Sequence, residues 1–146
     1  MKLQHILLAV SLITTSNFAL AQDASELQAQ REQVMHQYIL DLGRADYADI
    51  TKLFNEGGTV ISTSRGTVNA QEFFYGFLSE VETAKTDVHQ TFVSLEDKDH
   101  YGARFRFTFT LKDGEVGDGE YVDEFIFAKD SAKLNQVYMF ENLKFN

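Results

Sequence analysis

The chain has 146 residues, 44% hydrophobic and 24% charged, a composition that supports one globular domain with one core. Its 13 basic against 22 acidic residues argue against nucleic acid and anionic membranes as partners, because both select basic patches. There is no cysteine, hence neither disulfide nor thiolate chemistry, and no proline, so turns rest on Gly, Asn and Asp.

The opening "MKLQHILLAVSLITTSNFALAQ" has the layout of a secretory signal peptide. Lys2 gives a positive start, 6–13 form a short apolar run, and "ALA" at 19–21 supplies small residues for cleavage after Ala21. The run is too short for a membrane span, and no cysteine is present to carry a lipid. The expected layout is therefore a leader over 1–21 and a domain over 22–146, in a periplasmic or secreted protein with no membrane contact after cleavage. Removing Lys2 leaves 12 basic residues against 22 acidic ones.

"SELQ" (25–28) has the form of a capping box. Leu27, Val34, Met35, Tyr38, Ile39 and Leu42 recur at helical spacing, which predicts an amphipathic helix over 24–43 ending at Gly43. Asp46 caps a second, short helix carrying Ile50, Leu53 and Phe54, which "NEGG" (55–58) interrupts. "TVIST" (59–63) is β-rich. A third helix starts at Asn69, with Glu72 as its capping partner and Phe74, Phe77, Leu78 and Val81 as its apolar face.

The period then changes. Segments 87–95, 101–111, 119–128 and 133–145 alternate or nearly so, and the breaks between them are rich in Asp, Gly or Lys. Helices first and four long antiparallel strands after predict an α+β fold, with one curved sheet over the helices. In "GEYVDEFIF" (119–127) the alternation puts Asp123 on the face of Tyr121, Phe125 and Phe127, where a carboxylate is either costly or useful.

At this point specific residues add to the pattern. "VMHQYILDLGRADYADITKLFNEGGTVIS" (34–62), "RG" (65–66) before a helix with "EFF" (72–74), and "VHQTFVSL" (88–95) resemble the nuclear transport factor 2-like superfamily. That superfamily includes the SnoaL-like polyketide cyclases and ketosteroid isomerase. The resemblance spans the domain and implies a cone-shaped, cystatin-like α+β roll: a curved antiparallel sheet wrapped over three N-terminal helices. It also implies a pocket between sheet and helices, and a homodimer. In ketosteroid isomerase a tyrosine and a protonated aspartic acid donate to a substrate oxyanion while a second aspartate moves the proton. Carried over residue by residue, the tyrosine falls on Tyr38 and the protonated acid on Asp123. The base falls on Ser62, and no Asp or Glu occurs between Gly57 and Gln71. Ser62 is no base, so ketosteroid isomerase activity is disfavoured.

His89 or Glu141 would serve as base if either pointed inward. The alternative for Asp123 is an ion pair with Arg104 or Arg106 on the preceding strand. His36 is expected on a solvated helix face and His100 in a turn. No residues have metal-ligand spacing, "GEVGDG" (114–119) reads as a hairpin loop, and no cofactor is expected. The leading expectation is a domain binding a small apolar or aromatic molecule through Tyr38, Ser62, Asp123, Phe125 and Phe107. An enzyme of the same fold, a lyase, isomerase or cyclase using Asp123 with Tyr38 or His89, is the second. A dimerising interaction module with a filled pocket is the third.

Overall fold

The computed structural model describes residues 13–145, so the first twelve positions of the expected leader lie outside it. The elements run α1 (Ile13–Leu42), α2 (Tyr47–Lys52), β1 (Phe54–Ser62), β2 (Gly66–Asn69), α3 (Ala70–Leu78), β3 (Val81–Val93), β4 (His100–Leu111), β5 (Val116–Phe127) and β6 (Leu134–Phe145). Met35, Tyr38, Ile39 and Leu42 bury one stripe of α1, as their spacing requires. Asp46 caps α2 by accepting from the Asp49 amide at 3.0 Å. Asn69 caps α3 by accepting from the Gln71 and Glu72 amides. The "SELQ" expectation is corrected: α1 passes through Ser25, and Gln28 donates to Glu32 along the helix at 2.9 Å instead.

The sheet has six strands in the order β2-β1-β6-β5-β4-β3, so β1, at "TVIST", and the short β2 join the four long strands expected after the helices. β1 pairs with β6 in parallel, whereas the other neighbours are antiparallel. β1 also starts earlier than expected. Its ladder with β6 shifts between Phe54 and Thr59, and Gly57, at φ +76°, carries the chain through that irregularity. "NEGG" is thus an irregular part of the strand and not a break before it. β3 is an edge strand with only Val81 buried, which explains why its first half shows no apolar alternation.

Between sheet and helices lies an aromatic core. Tyr38, Phe74, Phe105, Phe107 and Phe125 are among its fully buried side chains. Tyr38 packs edge-on against Phe125 at 5.0 Å and Phe74 at 5.7 Å between ring centroids. The middle of α1 is tied by Arg31, only 3% exposed. Its guanidinium donates to the carbonyls of Ser131, Lys98 and Ala128 at 2.8–2.9 Å and pairs with Asp99 at 2.8 Å. It also stands over the Phe127 ring at 5.3 Å. One side chain thereby joins α1 to both the β3–β4 and the β5–β6 connections.

Gly43 follows α1 for a reason of space. A Cβ there would lie 2.4 Å from the Thr86 hydroxyl oxygen, and that hydroxyl donates to the Ile39 carbonyl at 3.0 Å. The left-handed residue of the turn is Ala45. Gly43→Ala should therefore push α1 off β3 and cost about 1–3 kcal/mol. Urea unfolding measures this, and an unchanged midpoint would show that the contact yields freely.

Candidate functional site: an aromatic cavity above a buried acid

The alternation of β5 holds. Gly117, Gly119, Tyr121, Asp123, Phe125 and Phe127 all face the core. Asp123 lies in register between Ala103 of β4 and Met139 of β6, and Tyr121 between Phe105 and Glu141. Ala103 is small, so room remains above it for Tyr38 from α1. Tyr38 and Asp123, 85 positions apart in sequence, become neighbours, and both are 0% exposed. Asp123 pairs with neither Arg104 nor Arg106. Those two face outward, Arg104 towards Glu120 and Arg106 towards Asp118.

Burial dominates the electrostatics of the pair. It raises the Asp123 carboxyl well above 3.8; the neighbouring Tyr38 hydroxyl opposes this, and the nearby Glu141 charge adds to it. Burial likewise raises the Tyr38 phenol, with further contributions from Asp123 and Tyr121. In both groups burial favours the uncharged form. They are close enough to influence each other, yet stop short of hydrogen-bond geometry. The Tyr38 hydroxyl and both Asp123 oxygens are buried without a hydrogen-bond partner. Tyr121 is pushed up by burial, then by Glu141 and Asp123. Glu141, Tyr121, Asp123 and Tyr38 form a series of acidic groups running from the cavity into the core.

The cavity itself has a volume of about 300 Å³. Phe73 and Phe77 of α3, Phe107 and Phe109 of β4, Tyr121 and Met139 form its apolar wall. Phe77 meets Phe109 edge-on at 5.1 Å, and Phe107 meets Tyr121 at 5.7 Å. Gly117 permits this arrangement, because a Cβ there would sit 2.2 Å from the Phe109 ring. Polar groups gather on the β1–β6 side, where Ser62, Ser64 and Arg65 precede β2 and Glu141 lies on β6. Two larger hollows of about 870 Å³ border α1, but they are more open and lack this convergence of rings and polar groups.

The residues singled out from the sequence separate here. Ser62 and Phe107 line the cavity, whereas Tyr38, Asp123 and Phe125 lie beneath it, sealed by protein. Phe125 is the packing partner of Tyr38. His89 does not point inward: it lies on the outer face of β3. There its Nδ1 is 3.4 Å from Arg104 and 3.6 Å from Glu120. Glu141 does line the cavity. Sequence reasoning quoted Arg65 within "RG" (65–66) but did not place it in the site, because an arginine in a polar turn carries no signal of what it will lie against.

No protein-family model matches the chain, and no curated protein matches it in sequence. Solved structures do resemble it. A Δ5-3-ketosteroid isomerase from Mycobacterium sp. superposes with a TM-score of 0.64 at 12% identity, over 80% of this chain and 98% of that one. The epoxide hydrolase/cyclase-like enzyme SalBIII, with a role in pyran ring formation in salinomycin, gives 0.65 at 15% identity, over 78% and 92%. A nuclear transport factor 2-like protein of unknown function from Exiguobacterium sp. gives 0.62 at 14%, over 75% and 98%. The chain has the nuclear transport factor 2-like fold. At these identities the likeness concerns the fold, which hosts enzymes and binders alike, so function rests on the cavity.

Proposed function

We propose that the protein is an exported domain that binds a small apolar or aromatic molecule in the cavity between α3 and the sheet. The observation that carries this is the wall of aromatic rings around about 300 Å³ of space, with polar groups confined to one side. Rings supply the affinity and the few polar groups the orientation, at the small end of the usual range of ligand sites. Asp123 and Tyr38 lie behind the wall, and contact with a ligand requires Tyr121 or Met139 to move aside.

Leu111→Trp tests the reading, because Leu111 lines the cavity and the chain has no tryptophan. Wild type should bind the neutral fluorophore N-phenylnaphthylamine with enhanced emission, and the variant should lose at least tenfold in affinity while keeping its circular dichroism. Equal binding by both proteins would place the probe elsewhere and remove the proposal.

Turnover by the same fold is the second reading, and Glu141 is what favours it. It is the carboxylate that reaches the cavity, whereas His89 faces the other way. A lyase, isomerase or cyclase would then use Glu141 as base, with Asp123 buried behind Tyr121. The expected homodimer is proposed to use the outer sheet face, where Phe92, Tyr138 and Phe140 are exposed.

A further inference from the structure

Arg65 is held in an unusual way for an exposed side chain. It ends the turn between β1 and β2, where its amide donates to the Ser62 hydroxyl at 3.2 Å and Gly66 follows at φ +65°. The turn lays the side chain across α3. Its guanidinium carbon stands 5.5 Å from the centroid of the Phe73 ring. On the next turn of α3 is Gly76, where a Cβ would come within 3.2 Å of Nη1. A ring below and a missing side chain beside it therefore form a seat for the guanidinium at the cavity wall.

Stacking occupies the face of a guanidinium and leaves its in-plane N–H donors available. Among the described residues, the Arg65 guanidinium donates no hydrogen bond and forms no ion pair. Glu141, the acid lining the same cavity, is not paired with it. A cation over an aromatic wall with an unused fork of donors matches a planar anion, and a carboxylate is the group that meets such a fork with two parallel bonds. The chain's net charge of −9 does not prevent this, because screening over about 8 Å leaves local charges in control of a cavity mouth.

On the reading that the cavity binds ligand, we infer that its ligands are monocarboxylates with an apolar, ring-containing body, received by Arg65 at the mouth. The body lies among Phe73, Phe77 and Phe107, with the carboxylate in the plane of the guanidinium. Glu141, on β6, is then placed to accept from a hydroxyl or amine elsewhere on the ligand.

Naphthoate and its neutral amide, naphthamide, are the probes, titrated by calorimetry into wild type, Arg65→Gln, Arg65→Lys and Leu111→Trp. Wild type should bind naphthoate at least tenfold more tightly than naphthamide, and this preference should weaken as salt rises. In Arg65→Gln the ratio should fall to about one and lose its salt dependence. Arg65→Lys should retain part of it, since a point charge cannot form the paired bonds. If acid and amide bind wild type equally and only Leu111→Trp abolishes binding, the cavity reading stands and the carboxylate inference falls. If neither probe binds, or Leu111→Trp binds both as wild type does, the cavity reading fails and takes this one with it.

Discussion

Replacing Arg31 by alanine is expected to cause the largest loss of stability of any single substitution considered. The guanidinium satisfies three backbone carbonyls from two different connections, and alanine leaves all three without their donor. Each buried polar group stripped of its partner costs about 1–3 kcal/mol. The Asp99 contribution is smaller, because that side chain is 35% exposed and water replaces the lost partner. The packing of the guanidinium on Phe127 is lost as well. A total of about 3–5 kcal/mol follows, as for other buried pairs broken on one side. In a domain of this size that corresponds to a fall in Tm of roughly 10 °C or more. Arg31→Lys should recover only part of it, since an ammonium cannot reach three carbonyls that diverge around a planar fork. A Tm within about 2 °C of wild type for the alanine variant would show that the connections hold themselves, and the clamp would have to be abandoned.

Asp123→Asn is expected to make stability less sensitive to pH and to favour the folded state at neutral pH. Burial raises the Asp123 carboxyl above 3.8 in the folded chain, whereas in the unfolded chain it titrates near that ordinary value. Between the two values the folded chain holds a proton that the unfolded chain has released. The contribution to stability is thus fully present below the unfolded value and is lost as pH rises through the folded one. Within that window the loss is about 1.4 kcal/mol for each pH unit. Asparagine occupies the same volume, does not ionise and still offers donors, so the variant escapes this loss. Buried Asp41 is raised in the same direction, chiefly by burial, so the informative quantity is the difference between variant and wild type. Urea unfolding at a series of pH values should show that difference growing with pH from about 4 upward. Parallel curves would mean that Asp123 is ionised in the folded chain or titrates normally.

Local residue choice determined a large part of this protein. The apolar stripe from Met35 to Leu42, the caps at Asp46 and Asn69, and the alternation of β4 and β5 follow from side-chain spacing and from hydrogen bonds spanning three residues or fewer. The inward direction of Asp123 is one consequence, since successive strand residues must face opposite sides. The juxtaposition of Tyr38 with Asp123 came from the family resemblance and not from any local rule. The geometry agrees that they meet but seals both from the cavity.

Tertiary packing decided the rest. The parallel pairing of β1 with β6 joins segments more than 70 residues apart and leaves no periodic trace in either. β3 is an edge strand, exposed on most positions, so the sequence could not say which face His89 takes; the ladder with β4 puts it beside the outward-facing Arg104 and Glu120. Arg31 and Arg65 read alike as polar residues in polar company. One is enclosed by two loops and the other seated between a phenylalanine and a glycine, and only the approach of distant segments makes that difference. The chain by itself specifies the helix stripes, the long later strands and an acid facing inward. Where the walls stand apart, and which charged groups reach that opening, depends on contacts between distant segments that no local pattern encodes.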